Sequence, residues 1–259
     1  MRCCVRRWKR TEILRDIFKD FGSLDLDQHA FFFDFDGTLA EIAPRPQDVS
    51  LGFGIRRDIL RLSERTNGAV AIITGRNRDE ITPHLDATIP IAGLHGVDFP
   101  GNAADPDLAE KVAAIRPLLP ALTDLVATYP GAVLEDKGQG LALHWRGAPS
   151  SEAVMLAAAN QSLALLGANW RLQLGKSVAE IRPVGDDKGV ALRRFMAQPP
   201  FADRRPIAFG DDLNDLPMLE AARESGGMAV ALGERDLPAD IHLSGPAELA
   251  DWLERRLEA

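Results

Sequence analysis

"HAFFFDFDGTLAEIAPRP", residues 29–46, is the stretch whose reading decides the fold. His29–Phe33 is a short run with no polar alternation, the mark of a strand buried on both faces of a parallel sheet. The run stops at Asp34, and Asp36, Gly37 and Thr38 follow. Carboxylates at i and i+2 of a strand face opposite ways. If the strand ends at Asp34, a turn at Gly37-Thr38 can bring Asp36 round to the same pocket. Such a pair suits either a divalent cation held by oxygen, or a nucleophile beside an acid/base. The plainer alternative is a helix-capping Asp followed by an Asp-Gly turn.

Outward from this stretch the chain alternates. Strand patterns at 69–74, 89–94, 206–211 and 227–232 are interleaved with helical patterns at about 51–66, 77–86, 188–197, 214–224 and 246–257. That order predicts an α/β fold with a doubly wound parallel sheet, whose ligands bind beyond the carboxyl ends of the strands. Asp34, Thr74 and Asp211 stand at those ends. The middle of the chain reads differently. A helix at 107–128 precedes a hairpin of "AVLEDK" and "LALHWR" around Gly138–Gly140. A helix at 151–166 precedes a second hairpin of "WRLQL" and "SVAEIR", turning at Gly175–Lys176. Two helix–hairpin units make an inserted α+β cap. The expected division is a core of 1–103 and 184–259, with 1–25 as a helical extension, and a cap of 104–183. Segments 101–107 and 183–187, rich in Gly, Pro and Asp, are the expected hinges.

The 259 residues carry a net charge of -8, which argues against a nucleic-acid partner and requires a local positive site or a metal ion for any anionic substrate. Cys3 and Cys4, adjacent and the only cysteines, fit a reducing compartment and neither a disulfide framework nor a zinc site. No long apolar segment follows the basic start "MRCCVRRWKR", so the expectation is a cytoplasmic protein without a membrane span, and a monomer.

Three further segments strengthen the chemical interpretation of Asp34 and Asp36. "ITGR" (73–76) ends a strand with a hydroxyl and an arginine, both phosphate partners. "FGDDLND" (209–215) ends another with a carboxylate cluster, and Lys188 opens a helix after Asp186 and Asp187. Together, in order and spacing, "DFDGT", Thr74, Lys188 and "GDDLND" resemble the four motifs of the haloacid dehalogenase superfamily. The resemblance implies a Mg²⁺-dependent phosphohydrolase working through an aspartyl-phosphate. It implies Asp34 as nucleophile, Asp36 as general acid/base, and Thr74 and Lys188 as holders of the phosphoryl group. Mg²⁺ would lie between Asp34, the backbone carbonyl of Asp36 and Asp211, with Asp212, Asn214 and Asp215 nearby.

In the cap, Leu141, Leu143 and Trp145 alternate with Ala142, His144 and Arg146, and Ala179 and Ile181 lie opposite Val178, Glu180 and Arg182. One face should pack and the other stay open and polar. "DFDGTLAEIAPRP", "AGLHG" (92–96), "LEDKGQGLALHWR" (134–146) and "VAEIRPVGDDKGVAL" (178–192) resemble the trehalose-6-phosphate phosphatase family. That implies a small-molecule sugar phosphate as substrate and a metabolic pairing with a trehalose-6-phosphate synthase. Glu135, Lys137, His144 and Glu180 would contact the disaccharide, with Arg45, Gly75, Arg76 and His95 lining the cleft. The continuation Leu213-Asn214-Asp215 departs from the Thr-Asp-Glu usual in that family, so a sucrose-, mannosyl- or hexose-phosphate remains the alternative substrate. A catalytically dead sugar-phosphate sensor is the alternative of a different class, and the intact Asp34, Asp36, Lys188 and Asp211 speak against it.

Overall fold

The structure, a computed structural model, describes residues 25–43, 48–85, 88–101, 108–185 and 187–258. Arg45, Asp186, the N-terminal extension with its cysteines, and most of the first expected hinge lie outside the described residues.

The larger sheet is built from β1 (His29–Phe33), β2 (Val70–Ile73), β3 (Ile91–Ala92), β8 (Arg205–Gly210), β9 (Met228–Leu232) and β10 (Ile241–Leu243), in the order β10-β9-β8-β1-β2-β3. Every pairing is parallel. β1 is central, with Phe31 opposite both Val70 and Ile207. Its side chains from Ala30 to Phe33 alternate between two cores, which explains why that run is unbroken and apolar. Phe31 and Phe33 pack with Ile59 and Leu62 of α1 (Phe53–Arg65) and Leu249 and Trp252 of α8 (Pro246–Glu258). Ala30 and Phe32 pack with Leu192 and Phe195 of α6 (Lys188–Met196) and Leu219 and Ala222 of α7 (Leu216–Glu224). Each buried Phe contributes about 1.5–3 kcal/mol. The strand is therefore a rigid base for the residue that follows it.

Departures from the expected elements have local causes. β10 escaped prediction because three residues give too little pattern to read. The helix expected over 77–86 is a single turn, α2 (Arg78–Ile81), followed by a 3₁₀ turn at Thr82–His84, since Pro83 has no N–H to continue the ladder. The strand expected over 89–94 is only Ile91–Ala92, because Leu94, His95 and Gly96 all take positive φ.

The second sheet is antiparallel, in the order β4-β5-β7-β6: β4 (Val133–Asp136), β5 (Leu141–His144), β7 (Val178–Pro183) and β6 (Trp170–Gly175). The helix expected over 107–128 is broken into α3 (Leu108–Ile115), a 3₁₀ turn at Arg116–Leu118 and α4 (Leu119–Ala127), at Pro117 and Pro120. α5 (Glu152–Leu166) completes the layer. Leu141, Leu143, Trp145, Ala179 and Ile181 pack against Ile115, Leu122 and Met155 from these helices, as the alternation predicts. The second hairpin turns at Lys176-Ser177, one residue later than expected, with Ser177 at φ 61. Among the described residues, no helix is long and apolar enough to cross a membrane.

Candidate active site

Asp34 follows β1 directly and its N–H donates to the Phe209 carbonyl (2.9 Å), which ties it to β8. The chain then turns, with the N–H groups of Leu39 and Ala40 donating to the Phe35 carbonyl at 2.9 and 3.0 Å. Gly37 sits at φ 79, and a Cβ there would run into the Asp211 carboxylate. The glycine of "DFDGT" is therefore required twice over, by its backbone and by the close approach of Asp211 from "GDDLND".

Lys188 is the first residue of α6, whose N-cap Asp187 accepts from the Val190 N–H at 2.9 Å. Its Nζ donates to Asp34 Oδ1 and Asp215 Oδ1, both at 2.6 Å, and all three side chains are buried. The other Asp215 oxygen accepts from the backbone N–H groups of Asp211 (2.9 Å) and Asp212 (3.0 Å). Asp215 thus positions Lys188 and the loop after β8 together. Gly210 is bare for the same reason, since a Cβ would collide with Asp215. Carboxylate oxygens of Asp34, Asp211 and Asp215 lie within 4.8 Å of one another.

Burial and the neighbouring Asp215 push the Asp34 carboxyl well above its ordinary range, with Lys188 opposing them. Burial and Asp215 likewise raise Asp211 to about 6, while Lys176 holds it down. Burial alone would lower Lys188, but Asp215 and Asp34 outweigh it and hold the ammonium above its usual value.

After β2, Arg76 forks onto Asp36, with Nε to Oδ2 at 2.6 Å and Nη2 to Oδ1 at 2.7 Å. The expected phosphate partner is thus engaged with the expected acid/base, a bidentate geometry that fixes the Asp36 carboxylate. Thr74 is fully buried behind this pair, and its hydroxyl accepts from the Arg76 N–H at 3.2 Å.

A cleft of about 140 Å³ separates these groups from the open face of the antiparallel sheet. Glu135, Lys137, His144 and Glu180 all line it, as do Gly75 and His95. His144 Nε2 lies 2.7 Å from Glu135 Oε2. Lys137 Nζ donates to Glu180 Oε2 (3.2 Å) and to the Gly75 carbonyl (2.9 Å), and His95 Nε2 lies 3.2 Å from the same Glu180 oxygen. Burial works against the Glu180 charge, but Lys137, His95 and Arg182 overcome it and hold this carboxyl far below its usual range. Glu135 is also lowered, burial being outweighed by His144 and Lys137. Burial takes His95 down to about 4, so its contact with Glu180 is a hydrogen bond from a neutral ring and not an ion pair.

Two charged cleft residues were missed in the sequence. Lys176, in the second hairpin turn, donates to Asp211 Oδ2 at 2.7 Å, and Arg146 donates to the carbonyls of Ala43 (2.6 Å) and Lys176 (2.9 Å). Arg146 shares the polar face of His144, a signal that was legible. A lone lysine in a turn gives none. Asn214 lines the cleft with its buried Oδ1 lacking a protein partner among the described residues, and Asp212 pairs with Arg235 at 3.0 Å.

A family model described as trehalose-phosphatase matches residues 32–238. The trehalose-6-phosphate phosphatase of Escherichia coli (strain K12) is 38% identical over 235 residues, covering 88% of this chain and 86% of that protein. A probable trehalose-phosphate phosphatase of Sinorhizobium fredii is 38% identical over 216 residues, covering 82% and 80%. Among solved structures, the C-terminal domain of C. albicans trehalose-6-phosphate phosphatase superposes with a TM-score of 0.79 at 19% identity, covering 96% of this chain and 97% of that one. A trehalose-6-phosphate phosphatase related protein gives 0.74 at 23% identity, covering 88% and 97%. At such identities the structures speak for the fold.

Proposed function

The chain belongs to the trehalose-phosphatase family, and on that premise we propose that it hydrolyses trehalose 6-phosphate to trehalose and inorganic phosphate with Asp34 as nucleophile. The observation that carries the assignment of roles is the buried Asp34–Lys188–Asp215 group facing Glu135, Lys137, His144 and Glu180 across one cleft. The departure at Leu213-Asn214-Asp215 does not weaken it. Asp212 and Asp215 form a reciprocal cap at the start of that turn, so the motif's work here is to hold Asp215 against Lys188.

In this scheme an Asp34 oxygen attacks phosphorus, and the sugar oxygen leaves with a proton from Asp36. Asp36 then takes a proton from water, which attacks the aspartyl-phosphate and releases inorganic phosphate and free Asp34. The Arg76 fork orients Asp36 as a carboxylate, and one of its two bonds opens when Asp36 carries the proton. Lys188 offsets the negative charge of the arriving phosphoryl group, and Thr74 shapes the loop that receives it. The division into a core of 1–103 and 184–259 and a cap of 104–183 belongs to the same proposal, the cap carrying the sugar-reading residues.

The residues present fit a magnesium ion. The donors are hard oxygens, and the raised Asp34 and Asp211 mark a cluster short of positive charge. Asp34, Asp211 and the Asp36 carbonyl would hold it, with Asn214 beside them. Bound there, Mg²⁺ would supply positive charge that lessens repulsion between a carboxylate and a phosphate dianion. Phosphate release from a panel of sugar phosphates, with Mg²⁺ and with chelator, tests the assignment. Trehalose 6-phosphate should be preferred and Mg²⁺ required. Preference for another sugar phosphate would move the substrate, and no release from any ester would favour a sensor.

A further inference from the structure

The turn at Leu94–Gly96 lies where β3 would have continued. Leu94 and His95 carry side chains yet sit at φ 49 and 57, with Gly96 at φ 108. Such conformations are unfavourable and persist only where the surroundings impose them. Here the imposing partner is the loop after β2. The Leu94 N–H donates to the Arg76 carbonyl at 2.9 Å and the His95 N–H to the Thr74 carbonyl at 2.8 Å. The buried His95 ring then rests against Gly75, where a Cβ would come within 2.7 Å of it. From the other side, Lys137 takes the Gly75 carbonyl. Both His95 and Lys137 meet again at Glu180 Oε2, on the cap.

We propose that His95 is a positioning residue that ties the loop Thr74–Arg76 to the docked cap through Glu180, so that this loop takes its phosphate-holding shape together with cap closure. The proposal rests on the phosphatase assignment above. A carboxylate only accepts, so Nε2 carries the hydrogen. Burial keeps the ring neutral, opposed by Glu180 and helped by Arg182 and Lys188, and Nδ1 is left as a bare lone pair with no protein partner among the described residues. A neutral donor held in one tautomer can dock a carboxylate while adding no charge beside the phosphate. A merely space-filling histidine would need neither the strained backbone nor the aimed Nε2.

The test compares His95→Gln with His95→Asn, on trehalose 6-phosphate and on p-nitrophenyl phosphate, with melting temperatures for each protein. Gln can place an N–H where Nε2 lies, whereas Asn suits the left-handed backbone but stops short of Glu180. Asn should lose about tenfold in kcat/KM on trehalose 6-phosphate, the value of a hydrogen bond to a charged group, and clearly less on the small ester. Gln should recover most of that loss. Equal losses on both esters, or an Asn variant matching wild type, overturn the proposal. Should Gln prove too unstable, a cycle of His95→Asn with Glu180→Ala decides: the double variant should lose no more than the worse single, and additive losses overturn the coupling. A wild type inactive on every ester would strike the functional assignment, while an active wild type with independent His95 and Glu180 would strike this proposal alone.

Discussion

The two walls of the cleft treat their carboxylates in opposite ways. In the core, Asp34 is raised well above its ordinary value and Asp211 to about 6. In the cap, Glu135 and Glu180 are lowered. Burial pushes all four upward, so the difference comes from neighbours. Asp215 repels both core groups, and Lys188 is shared between Asp34 and Asp215. Glu180, by contrast, has Lys137, His95 and Arg182, and Glu135 has His144 and Lys137. The core is short of positive charge and suits a cation and an attacking carboxylate. The cap is neutralised from within, and suits neutral hydroxyls that both donate and accept.

The contrast is broken most directly at Asp34. Asp34→Asn should lower turnover to about a thousandth or less, because an amide neither attacks phosphorus nor ligates a hard cation well. Beryllofluoride should form its adduct on Asp34 in wild type. Retained activity in the variant, or an adduct elsewhere, would remove the nucleophile from the core.

Next in size is the shared cation. Lys188→Met leaves Asp34 and Asp215 buried without their partner, a loss of about 3–5 kcal/mol in urea unfolding near neutral pH. Protonation of the raised Asp34 carboxyl should restore part of it as pH falls. Lys137→Met in the cap should cost less, since Glu180 keeps His95 and Arg182. Equal costs for the two lysines would mean that the walls do not differ as their neighbours indicate.

How much of this contrast the sequence carries depends on the kind of signal. The four longer parallel strands, β1, β2, β8 and β9, were legible because fully buried strands leave continuous apolar runs, and β1 alone located Asp34. The cap's faces were legible because period-two alternation separates Leu141 and Leu143 from His144. Proline explains the broken helices, at Pro83, Pro117 and Pro120. The fork of Arg76 on Asp36, the reach of Lys176 to Asp211 and the clasp of His95 on Glu180 join segments 35 to 85 residues apart. No local pattern encodes such pairings. The fork follows from β1 and β2 lying side by side in one sheet, the other two from the docking of one sheet over the other, and Arg45 stays an expectation from the sequence.

Glu180→Ala sharpens the comparison on the cap side. The variant leaves a sugar hydroxyl without its partner, a loss of roughly 1–3 kcal/mol, or about tenfold to a hundredfold in kcat/KM on trehalose 6-phosphate. A small ester such as p-nitrophenyl phosphate does not reach the cap face and should lose much less. Equal losses on both would make Glu180 a general support of the cleft rather than a reader of sugar.

The smallest effect concerns pH, and it follows from the opposite shifts. Asp211 rises from 3.8 to about 6 on folding, so between these values the folded chain holds a proton that the unfolded chain lacks. Stability from this source is present at low pH and lost as pH rises through about 6. Glu180 has the reverse sign, its contribution being full above 4.5 and lost as pH falls below it. His95, lowered from 6.5 to about 4, also loses stability as pH falls through that interval, which masks Asp211 in a simple titration. Magnesium separates them. Asp211 must be ionised to hold the ion, whereas the proposed ligands include neither His95 nor Glu180. The difference between unfolding free energies in saturating Mg²⁺ and in chelator cancels the cap groups. That difference should grow by at least about 1–2 kcal/mol from pH 5 to pH 7, the cost of displacing a proton from Asp211, with Asp34 adding in the same direction. A difference that is flat across this range would mean that the raised carboxyls of the core are not the ones that meet the cation, and the contrast between the two walls would lose its chemical meaning.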